Sequence, residues 1–176
     1  MKRTPFVASA LIVAATTVVL GQLSPPASAS VTIGGKAIRI AYSSPSVRGR
    51  KIFGDGGLLS RDSTYPVWRA GANAATTLRT DAALDIGGLA LPRGAYSLYV
   101  LVQDPNAWQL IVNKETGQSG LDYNAKLDLG RVKMTMSKPP AMVEQLKYTL
   151  SDQGGNRGEL RIEWENHVAT VPIAAK

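Results

Sequence analysis

The sequence contains no cysteine, a single histidine and few aromatic residues among its 176 positions. The lack of cysteine excludes disulfide scaffolds, cysteine nucleophiles, iron–sulfur clusters and thiolate metal sites. A single histidine excludes any site that needs two imidazoles. We therefore expect neither a metal centre nor a cofactor.

The common catalytic signatures are also absent. The sequence has no Gly-x-Ser-x-Gly elbow, Ser-x-x-Lys dyad, Walker loop or Gly-x-Gly-x-x-Gly fingerprint. His167 lies in a predicted turn, and Glu163 and Glu165 are predicted to share the solvent-facing side of a strand, where nothing raises a carboxyl pKa. These features favour a non-enzymatic protein. The alternative is a hydrolase whose unfamiliar site uses acidic residues of irregular segments: Asp55, Asp62 or Glu115.

The N-terminus has the three parts of a secretory signal. Residues 2–3 are Lys-Arg, residues 6–20 are nearly all apolar, and Ala-Ser-Ala at residues 27–29 offers a signal-peptidase site. The apolar stretch is shorter than the ~20 residues that a membrane span needs. We predict a signal peptide over residues 1–29 and a single domain over residues 30–176. The protein is then secreted or extracytoplasmic, with no transmembrane span after cleavage.

The chain is basic, with 20 Lys+Arg, 13 Asp+Glu and a formal net charge of +7, of which Lys2 and Arg3 supply two units. Outside the cytoplasm the abundant polyanions are envelope polymers and lipid headgroups, which attract a basic protein in a diffuse, salt-dependent way. Nucleic acid is therefore not expected as a partner. The alternative interpretation is that the charge only keeps a small domain soluble.

Short stretches of alternating apolar and polar residues recur beyond the predicted signal peptide. Ile38 and Ile40 share one side of a strand, and Leu160, Ile162 and Trp164 share one side of another. Gly-Gly pairs at residues 34–35 and 87–88 predict hairpin turns, because glycine tolerates positive φ. A single strand is predicted over residues 131–136, and residues 43–66 and 114–126 are predicted to be irregular. The pattern predicts an antiparallel β-sandwich, or an open barrel, of about 8–10 short strands.

Several short segments of the sequence resemble those of a known family. They are SSPSVRGRKIFG at residues 43–54, VWRAGANAAT at 67–76 and LPRGAYS at 91–97, together with Asn113-Lys114 and the ending from Trp164 to Ile173. The chain resembles the domain of unknown function 2911 family of exported bacterial proteins. The resemblance implies a secreted, mostly β domain and no particular reaction. The chain differs from the family pattern at Ser44, where arginine is usual, and at Ala74, where glutamate is usual.

Basic residues in the first irregular segment suggest a ligand site. Arginine binds carboxylate or phosphate through two parallel N–H donors, and nearby glycines let backbone amides approach an anion. Arg50 and Arg69 are predicted to hold an anionic or glycan ligand of the envelope, with Asn73 fixing its orientation and Arg48 and Lys51 in support.

Each of these residues also has a purely structural interpretation. The charged loop can simply be solvated. In VWRAGAN, Trp68 can fill the core, Arg69 can pair with buried carbonyls, and Asn73 can cap a turn. A third possibility is a structural or assembly role, which would leave a contiguous apolar patch on the surface.

Overall fold

The computed structural model describes residues 24–176. The charged and apolar parts of the predicted signal peptide lie outside the described residues. The described part has two short 3-10 turns, Leu59–Arg61 and Ala125–Leu127. Residues 24–176 include no membrane-spanning helix. Its strands are β1 (Pro26–Ile33), β2 (Lys36–Ser43), β3 (Val67–Trp68), β4 (Thr76–Thr80), β5 (Leu84–Ile86), β6 (Leu89–Leu91), β7 (Gly94–Leu101), β8 (Gln109–Asn113), β9 (Asp128–Lys133), β10 (Thr135–Ser137), β11 (Val143–Asp152), β12 (Arg157–Glu165) and β13 (His167–Ala175).

The strands form two antiparallel sheets around one hydrophobic core. The first sheet has the order β1-β2-β4-β7-β8-β9, with β3 paired to β7. The second has the order β11-β12-β13-β5-β6, with β10 paired to β13. The predicted β-sandwich is confirmed. The described residues contain more strands than predicted, because the two-residue β3 is too short to show an alternating pattern and because β9 and β10 were predicted as one strand.

Both predicted hairpins are confirmed. Gly34 and Gly35 have φ of 55° and 74°, and Gly87 and Gly88 have φ of 55° and 93°. Positive φ at both central residues matches the twist of the flanking strands, and glycine adopts it without steric cost. The two Gly-Gly pairs therefore set the register of β1 with β2 and of β5 with β6.

The predicted strand over residues 131–136 is instead two strands in different sheets. β9 ends at Lys133 in the first sheet, and β10 begins at Thr135 beside β13 in the second. Between them, the backbone N–H of Met134 donates to the carbonyl of Trp108 at 2.9 Å. The alternating pattern continues across this break because Val132 and Met134 are both buried in the shared core. Periodicity alone therefore could not reveal the change of sheet.

The predicted signal-peptidase site lies inside a strand. β1 pairs with β2 from Pro26↔Ser43 to Ile33↔Lys36, so a cut after Ala29 would remove the first half of this pairing. The carbonyl of Pro25, which accepts from Ser44 N–H at 2.8 Å, would be lost as well. The predicted cleavage position therefore determines how much of the edge strand β1 a processed domain would retain.

We expect the chain 30–176 to be less stable than the chain 24–176 by about 1–3 kcal/mol, because it loses the backbone hydrogen bonds of residues 25–29 at the end of an edge strand, and each such bond contributes about 0.5–1.5 kcal/mol net. Urea unfolding of the two purified chains measures the difference. Equal midpoints and slopes would show that residues 24–29 contribute nothing to the fold. N-terminal sequencing of the protein isolated from its native cells then shows whether cleavage occurs and at which residue.

Candidate functional site

Two of the five predicted ligand residues line one cleft. This arginine cleft, of about 210 Å³, lies between the first irregular segment and the residues after β3, and its wall includes Arg50, Asp62, Arg69 and Trp164. Ser24 of the N-terminal segment also lines it. The remaining wall is made of small or apolar residues. The cleft therefore brings two guanidinium groups and one carboxylate together.

The guanidinium of Arg50 is held by backbone carbonyls. Its Nε donates to the carbonyl of Val47 at 2.9 Å, and its Nη2 donates to the carbonyl of Ser46 at 2.7 Å. These bonds use part of the donor set and fix the orientation of the planar group. Arg50 is therefore positioned before any ligand arrives, with further N–H groups left over.

Arg69 directly follows the two-residue strand β3. Its Nη2 lies 3.6 Å from Asp62 Oδ2, which is within ion-pair range but too long for a hydrogen bond. Its Nε is buried and has no hydrogen-bond partner among residues 24–176. Gly120 packs against the side chain so closely that a Cβ on that glycine would lie 2.3 Å from Arg69 Cδ. Arg69 is thus confined by its neighbours while its hydrogen-bonding capacity is incompletely used.

The other three predicted residues do not line the arginine cleft. Asn73 has a left-handed φ of 62°, and its Nδ2 donates to Ser43 Oγ at 3.3 Å. The Nζ of Lys51 donates to the carbonyl of Asp55 at 2.7 Å, which closes its own loop. Arg48 is exposed, and its backbone N–H donates to Glu144 Oε1 at 2.8 Å. Of the acidic residues considered for a hydrolase, Asp62 lines the cleft, and Asp55 and Glu115 do not.

The second irregular segment, residues 114–126, packs behind Arg69 and does not line the cleft. The N–H of Gly120 donates to the carbonyl of Asn73 at 3.0 Å, and the N–H of Ala75 donates to the carbonyl of Gln118 at 3.2 Å. On the outer face of the first sheet, Gln118 Nε2 donates to Tyr99 Oη at 3.1 Å. The segment therefore supports the residues that carry Arg69.

The fully buried Asn113 anchors the end of this segment. Its Nδ2 donates to the carbonyl of Asn124 and to Asp128 Oδ1, both at 2.9 Å. Tyr123 donates to Asp128 Oδ2 at 2.7 Å, and burial together with this carboxylate raises the pKa of Tyr123 to about 12. Asn113 belongs to one of the segments that resemble the family. Its structural role is to hold the loop of residues 114–126 against the first sheet.

A larger pocket, of about 490 Å³, lies at the turn between β12 and β13. This histidine pocket is lined by Pro105, Asn106, Met136, Ser137, Lys138, Asn166 and His167. It contains none of the five predicted ligand residues. The pocket was not recognisable from the sequence because its residues come from three separate turns and strand ends.

The prediction that Glu165 faces solvent beside Glu163 is wrong. Glu165 is 9% exposed and has a left-handed φ of 55°, because it occupies the first position of the two-residue turn between paired Trp164 and His167. The turn ends the strand alternation and directs the carboxylate inward, where Oε1 accepts from the N–H of Ile52 at 2.8 Å. The signal in the sequence is the short spacing between Trp164 and His167. Two strands that pair at these residues leave only two residues for the turn, so Glu165 has to belong to it.

Five aromatic rings form a cluster next to both pockets. Trp68 and Trp164 stack with ring centroids 5.6 Å apart, and Trp108 stacks on His167 at 5.2 Å. Phe53 contacts all four of these rings, at centroid distances between 4.7 and 5.7 Å. Trp164 lines the arginine cleft, and His167 lines the histidine pocket. The structural interpretation of Trp68 as a core residue is correct, since it is 2% exposed.

A second basic feature lies on the outer face of the first sheet. Arg39 of β2 and Arg79 of β4 are register partners, both exposed, and neither forms an ion pair within the described range. Like charges placed opposite each other on neighbouring strands repel. Small residues such as Ala41 and Thr77 leave a hollow of about 220 Å³ beside them. This face is a second place where an anion could be held.

Comparison with known proteins places the chain in a family. No curated protein and no solved structure matches it. The family model described as "Protein of unknown function (DUF2911)" matches residues 24–173, which is most of the chain and includes both pockets and the outer face. The resemblance found in the sequence words is thereby confirmed, and the chain belongs to the family of proteins of unknown function DUF2911.

Proposed function

We propose that the protein is an exported, non-enzymatic binding module for an anionic glycan or phosphate-bearing polymer of the cell envelope, and that the arginine cleft receives the acidic group. The observation that carries the proposal is the convergence of Arg50 and Arg69 on one cleft that has a single carboxylate, Asp62. Two guanidinium groups against one carboxylate leave a local excess of positive charge. A bound carboxylate or phosphate would neutralise it.

The state of the two arginines supports this proposal. Arg50 is oriented by two backbone carbonyls, so little side-chain entropy is lost when it binds an anion. Arg69 keeps the donors of Nη2, because the contact of this atom with Asp62 at 3.6 Å is too long for a hydrogen bond, and 19% of the Arg69 side chain is exposed. Charge-assisted hydrogen bonds to an anion are about twice as strong as neutral ones.

The walls of the cleft fit a sugar acid better than a bare inorganic ion. Leu58 and Ala72, which are both half-buried, supply apolar surface next to the charged groups. The apolar faces of sugar rings commonly pack on such surface, while Asp62 can accept hydrogen bonds from their hydroxyls. A volume of about 210 Å³ admits one acidic unit of a polymer rather than a long segment.

Binding to polygalacturonate and to polyglycerol phosphate, measured by titration calorimetry at two salt concentrations, tests the proposal. We expect Arg69→Ala to weaken binding about 10- to 100-fold, because a charge-assisted hydrogen bond contributes about 1.5–3 kcal/mol. Neutral dextran should bind much more weakly than either polyanion. Raising the salt concentration should weaken binding of the polyanions further.

Arg61→Ala is the matched control. Arg61 lies in the same irregular segment, is exposed, and does not line the cleft, yet its replacement removes the same unit of charge. Equal losses for Arg69→Ala and Arg61→Ala would mean that attraction is diffuse, and would overturn the cleft as the site. Full binding by Arg69→Ala with loss in Arg79→Ala would move the site to the outer face of the first sheet.

A further inference from the structure

The histidine pocket is built around a fixed imidazole. His167 stacks on Trp108 with ring centroids 5.2 Å apart and an angle of 16° between the planes, and Phe53 contacts its ring at 4.7 Å. The two aromatic neighbours leave the ring little freedom to rotate. A histidine on the solvated surface has no such ring contacts and rotates more freely.

A buried carboxylate sets the chemical state of this imidazole. Glu165 Oε2 lies 3.3 Å from His167 Nδ1, and its other oxygen is held by the N–H of Ile52 at 2.8 Å. The two atoms of the Glu165–His167 contact are close but not aligned as a hydrogen bond. A carboxylate beside Nδ1 favours the tautomer that carries its proton there, which leaves a lone pair on Nε2.

The free edge of the ring faces the pocket side. Nδ1 is fully buried, whereas 20% of the His167 side chain is exposed, so the exposed part belongs to the opposite edge, which includes Nε2. Burial lowers the pKa of His167, and the nearby Lys138 lowers it as well, while Glu165 raises it. The imidazole is therefore neutral at pH 7 and acts as a hydrogen-bond acceptor.

The other lining groups indicate which ligands match this acceptor. Lys138 is exposed and has no ion-pair partner among the described residues, and no carboxylate lines the pocket. Asn106, Asn166 and Ser137 add groups that can donate or accept hydrogen bonds. A cation, a neutral acceptor and three polar groups suit a compound that carries several hydroxyls and one negative charge.

We propose that the histidine pocket is a second binding site, separate from the arginine cleft, for a hydroxyl-rich anion of the size of a sugar acid. One hydroxyl donates to His167 Nε2, and the acidic group pairs with Lys138. Glu165 is a positioning residue that holds the imidazole in its acceptor state. The volume of about 490 Å³ is more than twice that of the arginine cleft and accommodates a whole sugar unit.

The single histidine makes a direct experiment possible, because its ring resonances in an NMR spectrum can come only from His167. Titration with glucuronate should shift these resonances in a saturable way. Glucose, which has hydroxyls without charge, and acetate, which has charge without hydroxyls, should each produce much smaller shifts. No saturable shift with glucuronate, or an equal shift with acetate, would overturn the proposal.

Three variants distinguish binding in this pocket from diffuse attraction and from binding in the arginine cleft. Lys138→Ala should weaken glucuronate binding about three- to fivefold, whereas Lys147→Ala, which removes an exposed lysine outside the pocket, should leave it unchanged. Equal losses in both would indicate diffuse attraction and overturn the proposal. Arg69→Ala should leave the His167 shifts intact, so failure of the arginine cleft and failure of this pocket can be told apart.

Glu165→Gln tests the positioning role. Glutamine keeps an oxygen that can accept from Ile52 N–H, so the fold is retained while the charge beside His167 is removed. The pKa of His167 should fall further, because the negative charge that favoured the imidazolium is gone. Glucuronate binding should weaken in parallel with a change in the tautomer signal of the ring. Unchanged pKa and binding would remove Glu165 from the proposal.

Discussion

Trp68→Ala is expected to lower the free energy of unfolding by about 3–5 kcal/mol, the range for removing a large buried aromatic side chain. Trp68 is 2% exposed, and its ring contacts those of Phe53, Trp108 and Trp164. The two-residue strand β3 that carries it forms only two ladder pairs with β7. The indole therefore contributes more than the backbone to fixing the residues that follow, including Arg69.

Urea unfolding measures this loss, and Met142→Ala is its control. Met142 is 49% exposed, so its truncation should change stability by less than about 0.5 kcal/mol. Trp68→Phe should fall between the wild type and Trp68→Ala, because it keeps part of the ring contacts. A loss below about 1.5 kcal/mol for Trp68→Ala would mean that the cluster repacks around the vacated space.

Local pattern was sufficient to predict the class of fold. Strand alternation placed Ile38, Ile40, Leu160 and Ile162 in the core, and each of them is at most 1% exposed. The two Gly-Gly turns were recognisable because only a few residue pairs, Gly-Gly among them, readily adopt positive φ at both central positions of a turn. These predictions concern residues within a few positions of each other. Strand order depends on distant pairings, such as β5 with β13, which no local pattern encodes.

The candidate sites were predictable only in part, for the same reason. The chemistry of Arg50 and Arg69 predicts that they bind an anion, and the structure brings both residues to one cleft. Gly120, which confines Arg69, lies more than fifty positions away in sequence and carries no chemical signal. Glu165 was misplaced because strand alternation was extended one residue into a turn. Side chains that meet through turns and distant segments need the fold before they can be recognised.

Gly120→Ala should weaken both the fold and ligand binding at the arginine cleft. The new Cβ would lie 2.3 Å from Arg69 Cδ and 2.9 Å from the carbonyl oxygen of Asn73, so the side chain and the loop must move apart. Overpacking costs about 1–3 kcal/mol, while loss of glycine freedom in the unfolded chain returns about 0.4–1 kcal/mol, since Gly120 lies outside the left-handed region. A net loss of about 1–2 kcal/mol is expected from urea unfolding. Titration with polygalacturonate should show weaker binding, because Arg69 is displaced.

Gly117→Ala separates these two effects within the same loop. Gly117 has a φ of 87°, and a Cβ on it would have no atom within 4 Å, so alanine there strains the backbone without touching Arg69. It should cost about 1 kcal/mol of stability and leave polygalacturonate binding unchanged. In an Arg69→Ala background, Gly120→Ala should cost less, because the side-chain atom nearest to the new methyl group is gone. Additive losses in that double-mutant cycle, or equal binding losses for Gly117→Ala and Gly120→Ala, would contradict the view that Gly120 acts by positioning Arg69.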